Sequence, residues 1–123
     1  MKTKYKVLIA KILFKLFSIL KFSQKRQVKR NGIYWEVDLS EAIDLSIFLF
    51  GKFEYSVIKT ANKIIDTETY DIIDIGANIG SQTLVFAKTF KNSKIYAIEP
   101  SDYSYLKLKK NILLKKDLTP RND

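Results

Sequence analysis

The residues of this 123-residue chain best suited to chemistry are two carboxylates, two glycines and an asparagine at fixed spacing. Asp74-Ile75-Gly76-Ala77-Asn78-Ile79-Gly80 sets a carboxylate two positions before the first glycine, and Glu99 follows later, directly before Pro100. Gly76 and Gly80 admit positive φ and leave room for a ligand against the main chain. Glu99 can accept two hydrogen bonds from a vicinal diol such as that of a ribose. Asp74 would repel a diphosphate and would suit a cationic ligand that lacks phosphate.

The elements that must position these residues are legible around them. Residues 70–75 are a short apolar run with β-branched members, and residues 94–98 form a second buried-strand pattern closed by Glu99-Pro100. Between them, residues 81–91 show helical spacing, with Leu84, Val85, Ala87 and Phe90 on or near one face. Strand, glycine loop, helix, strand and acid within about thirty residues is the span of a βαβ unit that binds a nucleotide-like cofactor. Unpaired N–H groups at the helix start would face whatever sits above the loop. Ligands of open α/β sheets bind outside the carboxyl ends of the strands, where loop and Glu99 would both lie. The dinucleotide fingerprint G-x-G-x-x-G is not matched. S-adenosylmethionine, with its sulfonium and ammonium, fits the acidic loop better.

Those residues, with Ala97-Ile98-Glu99-Pro100 and the run 106–111, resemble the cofactor-binding half of the FkbM family of methyltransferases, which has Asn where many relatives carry a middle glycine, as Asn78 is here. Trp35-Glu36-Val37-Asp38 and Phe50-Gly51-Lys52-Phe53-Glu54 are similar to the family's lead-in, so the resemblance covers residues 31–111. It implies an α/β, Rossmann-like class I methyltransferase fold, present as the first two central strands with an N-terminal hairpin and helices. It implies S-adenosylmethionine as cofactor and O-methylation of a hydroxylated small molecule, sugar or lipid. It adds Glu54 to the cofactor-binding set of Asp74, Gly76, Asn78, Gly80 and Glu99, although Glu54 reads equally as a first-turn helix acid. Asp74 can meet the ligand ammonium, directly or through water, or brace the loop amides. Asn78 reads better as a left-handed turn residue than as a ligand contact, and Ser81 and Thr83 better as helix caps than as donors to a ligand carboxylate. No residue presents itself as a catalytic base.

Composition narrows the alternatives. There is no cysteine and no histidine, which removes disulfides, thiolate metal sites and a Ser-His-Asp triad; no metal site is expected. The net charge of +9 is uneven: residues 1–30 hold ten Lys or Arg and no acid, while the remainder is near neutral. The division expected is therefore a basic amphipathic N-terminal segment over residues 1–30 and a cofactor-binding half-domain over residues 31–123. A nucleic-acid-binding domain would carry its charge on its folded face, so no nucleic-acid partner is expected. Residues 7–22 are apolar but interrupted by Lys11, Lys15 and Lys21, so they fall short of the roughly 20 nearly uncharged residues of a membrane span. They suit a basic helix lying in a membrane interface, narrowly preferred over a helix packing on the domain. The location implied is cytoplasmic, with peripheral contact at the inner membrane face.

Along the rest of the chain, residues 27–39 read as a hairpin about Asn31-Gly32, the strongest short turn signal. Trp35 is expected to pack rather than stack on a ligand. Ser40 is positioned to cap a helix that Gly51 ends. Residues 54–65 predict a second helix with Val57, Ile58, Ala61, Ile64 and Ile65 inward. Beyond Pro100, Ser101 can cap a helix in which Tyr105, Leu106, Leu108, Ile112 and Leu113 are apolar, with Lys107, Lys109, Lys110, Lys115 and Lys116 as its solvated face. A third strand does not follow, so turnover by this chain alone is not expected. Two readings from other classes stand beside the enzyme: a membrane-surface binding protein without activity, and an NAD-binding fragment, against which Asp74 and the missing third glycine argue.

Overall fold

The computed structural model describes residues 9, 12, 15, 25–65 and 69–114. The membrane-interface reading of residues 7–22 and the end of the chain from residue 115 lie outside those residues, except that Ile9, Ile12 and Lys15 are helical. No helix among the described residues is long and apolar enough to cross a membrane.

Among the described residues the chain is mixed α/β, with two sheets of two strands each. Asn31 and Gly32, at φ 50° and 72°, turn β1 (Lys25–Arg30) back onto β2 (Ile33–Asp38) as an antiparallel pair, with Arg30 opposite Ile33. Positive φ at both positions is what a tight hairpin turn requires. Helix α1 (Ala42–Phe50) follows and ends at Gly51, whose N–H bonds the Ile47 carbonyl at 2.8 Å. Its start departs from the expected Ser40 cap. Glu41 occupies the cap position without a side-chain bond, and Asp38 instead accepts the Ser40 amide at 3.0 Å and hydroxyl at 2.5 Å. Asp44, buried in the first turn, accepts the Asp38 amide at 2.6 Å. The two carboxylates thus fix the turn that leads into α1, and the helix itself has no side-chain cap.

Trp35, Val37 and Leu39 from the hairpin meet Leu45 and Ile47 from α1 in a core that extends to Ile79 and Leu84. Trp35 is a packing residue, as expected, at 2% exposure. Strand β1 carries four cations into the fold, and Arg30 donates from Nε to the Phe48 carbonyl at 2.8 Å with its guanidinium over the Phe48 ring.

Helix α2 (Tyr55–Ile64) buries only Ile58. Val57 and Ile64, expected inward, are exposed. The second sheet pairs β3 (Asp71–Ile75) with β4 (Lys94–Ile98) in parallel, Asp74 beside Ala97 and Ile75 beside Ile98. Helix α3 (Thr83–Thr89) crosses between them, shorter than the 81–91 expected, and α4 (Asp102–Leu114) follows β4 and packs on β2. The Ser101 hydroxyl accepts the Ser104 amide at 3.5 Å, a weak cap where one was expected. Leu108 is buried in α4, but Tyr105, Leu106, Ile112 and Leu113 are exposed. Lys107, expected on a solvated face, instead ion-pairs with buried Asp44.

Candidate functional site at the end of the parallel strands

Strand β3 ends at Ile75, and the chain must then turn before α3. The Gly76 and Ala77 amides both donate to the Ile98 carbonyl, at 2.9 and 3.0 Å, which pins the loop to the carboxyl end of β4. Gly76, Asn78 and Gly80 have φ of 78°, 50° and 92°, so Asn78 takes the left-handed turn conformation expected of it. The Gly80 amide closes back on the Ala77 carbonyl at 2.8 Å.

Glu99 is folded against this loop. Its Oε2 accepts the Asn78 amide and its Oε1 the Ser101 amide, each at 2.8 Å. One carboxylate therefore ties the glycine loop to the start of α4. A carboxylate has about four acceptor positions, so two remain for a ligand. Asp74 is half-buried, and its Oδ2 accepts the Thr83 hydroxyl at 2.5 Å. Thr83 is thus committed to Asp74 rather than to helix capping, and Gln82 holds the cap position of α3 without a side-chain cap bond.

The two glycines differ. A Cβ on Gly76 would meet nothing within 4 Å, so the main chain there faces open space. A Cβ on Gly80 would come within 2.8 Å of Leu108 Cδ1. Gly80 is small because α4 packs against it, and only Gly76 leaves space that a ligand could enter. Glu54 takes φ 47° before α2, and the Gln82 side chain brings its backbone to the start of α3.

Sequence reasoning missed three residues that hold this arrangement. Asn111, 1% exposed, accepts the Glu36 amide at 2.7 Å and donates to the Ile79 carbonyl at 2.9 Å, joining hairpin to loop. Asp44 and Lys107 form the ion pair that fixes α4 to α1. The signal for Asn111 was its place three residues after Leu108, on the same helical face. Burial alone would raise the Asp38 carboxyl, but the Ser40 hydroxyl and amide, with the Lys107 and Lys25 charges, outweigh it and hold it below the ordinary carboxylate value.

Two cavities lie elsewhere. One of about 200 Å³ runs between β2 and α4 past Lys25, Asp38, Tyr103 and Lys107; the other, about 90 Å³, lies beside Tyr34, Leu84 and Lys88. Neither is lined by Asp74, Gly76, Asn78, Gly80 or Glu99. Among the described residues no acidic cluster could hold a metal ion. Compared with protein-family models, curated proteins and solved structures, the chain finds no match.

Proposed function

We propose that the chain is the cofactor-binding part of an S-adenosylmethionine-dependent methyltransferase with a Rossmann-like fold, acting on a hydroxyl of a small molecule, sugar or lipid. One observation carries the reading. At the carboxyl ends of two parallel strands, Glu99 stands against a glycine loop whose Gly76 faces open space. Main chain at Gly76 and carboxylate at Glu99 are what a nucleoside needs for close approach and for recognition of its diol. Asp74 adds negative charge at the same end, which favours a cationic ligand over a diphosphate. The resemblance of the loop and the Glu99-Pro100 step to the FkbM family points the same way.

In this reading Glu99 receives the ribose hydroxyls, Asp74 and Glu54 face the cationic part of the ligand, and Gly76 with Asn78 shapes the floor. Gly80 supports that floor from below through its contact with Leu108. The bound cofactor supplies an electrophilic methyl group on sulfonium sulfur, so the protein's task is alignment of acceptor and donor. Calorimetry with S-adenosylhomocysteine on the chain and on Glu99→Ala and Glu99→Gln tests the assignment. Loss of a charge-assisted hydrogen bond costs about 1.5–3 kcal/mol, so both variants should bind at least tenfold more weakly. Unchanged affinity in both would reject Glu99 as the diol acceptor. Thermal stabilisation by NAD and not by S-adenosylhomocysteine would reject the cofactor.

A further inference from the structure

Among the described residues Glu54 alone has positive φ, at 47°, without being glycine or asparagine. A residue with a full side chain held there is strained by an amount on the order of 1 kcal/mol. Neighbouring contacts must therefore over-determine it. The Gln82 carboxamide does so: Nε2 donates to the Phe53 carbonyl at 3.0 Å and to the Glu54 carbonyl at 3.3 Å. The Glu54 carbonyl also accepts the Val57 amide at 3.1 Å, the first turn of α2. The Glu54 carboxylate makes no cap bond to that helix and is exposed. Gln82 itself lies two residues beyond Gly80, so the strained backbone is fastened directly to the glycine loop.

We propose that Gln82 is a positioning residue: its carboxamide locks Glu54 in the left-handed conformation and so holds the Glu54 carboxylate beside the glycine loop as an acidic contact for the cationic end of the ligand. The role rests on the cofactor reading above, and the clamp itself does not. The orientation of the amide follows from its acceptors. Two carbonyls require the NH₂ group between them, which leaves Oε1 buried and without a partner among the described residues. A side chain that leaves its own acceptor unpaired to bridge two carbonyls is doing a specific job in placing Phe53 and Glu54.

The test uses the 123-residue chain and three variants, Gln82→Leu, Glu54→Ala and the double. In Gln82→Leu the Val57 amide should exchange with solvent about tenfold faster, while the Gly76 and Ala77 amides keep their protection. Unchanged exchange at Val57 would overturn the clamp. Affinity for S-adenosylhomocysteine should fall about five- to tenfold in each single variant, and the double should bind no more weakly than Glu54→Ala alone. Independent, additive losses would show that Gln82 does not act through Glu54, and would overturn the positioning role. If the parent chain binds no S-adenosylhomocysteine while Val57 is deprotected in Gln82→Leu, the clamp stands. The ligand role of Glu54 then falls together with the cofactor reading.

Discussion

Strand β2 of the hairpin and the parallel pair β3–β4 are all mostly apolar, yet the two regions treat those side chains in opposite ways. Val37 on β2 is fully buried at 0% exposure, and Trp35, Leu39, Leu45 and Ile47 close around it. On the parallel pair, Ile73, Ile75, Tyr96 and Ile98 share one face and all are exposed, Ile75 at 80%. An antiparallel hairpin can rest with one face on a core, whereas parallel strands are normally covered on both faces. The hairpin region therefore buries its apolar face, and the loop shares that core through Ile79 and Leu84. The loop region is further tied by the Asn78 amide to Glu99, the Thr83 hydroxyl to Asp74 and the Asn111 side-chain amide to the Ile79 carbonyl, while one apolar face of its sheet is left uncovered by the described residues. Exposed faces of that kind favour association with further polypeptide.

The comparison breaks most readily at its core. Trp35→Ala should destabilise the chain by about 3–5 kcal/mol, and Ile75→Ala by less than about 0.5 kcal/mol. Urea unfolding of the two variants measures this, and comparable losses would mean that the parallel face is covered in solution.

Asn111→Ala sharpens the link between the regions. It strands the Glu36 amide and the Ile79 carbonyl, so a loss of about 2–4 kcal/mol is expected from two unsatisfied groups. Faster amide exchange should appear at Glu36 as well as in the loop; a change confined to α4 would show that the strut does not couple them.

The glycines should separate stability from binding. Gly80→Ala drives a Cβ into Leu108 at a left-handed position and should cost about 1–3 kcal/mol. Gly76→Ala meets no neighbour and carries only left-handed strain, so it should lose about 1–2 kcal/mol, keep the far-UV spectrum and yet abolish binding of S-adenosylhomocysteine. Undiminished binding by Gly76→Ala would remove the loop as a cradle.

The smallest effect concerns acid. The Asp38 carboxyl lies below its ordinary value in the fold, so the stability it contributes is complete above the unfolded value of about 4 and is lost as pH falls through the folded one. Asp38→Asn should therefore flatten the acid side of the stability profile below about pH 4, and a profile parallel to the parent's would exclude Asp38 as a contributor.

Local signals were enough for the hairpin turn at Asn31-Gly32, the end of α1 at Gly51, the strand Lys94–Ile98 and the left-handed turn at Asn78. Each depends on backbone conformation and on neighbours close in sequence, which is why residue type alone predicts it. The tertiary structure decided what depends on contacts across the chain. Lys107 is an ordinary helix lysine until α4 packs on β2 and Asp44 meets it. Leu106 and Leu113 look like core residues, but only Leu108 among the leucines of α4's first three turns reaches the loop, where it sets the size of Gly80. Apolar character states what a side chain prefers; burial requires a surface to receive it, and for one face of β3–β4 the described residues provide none.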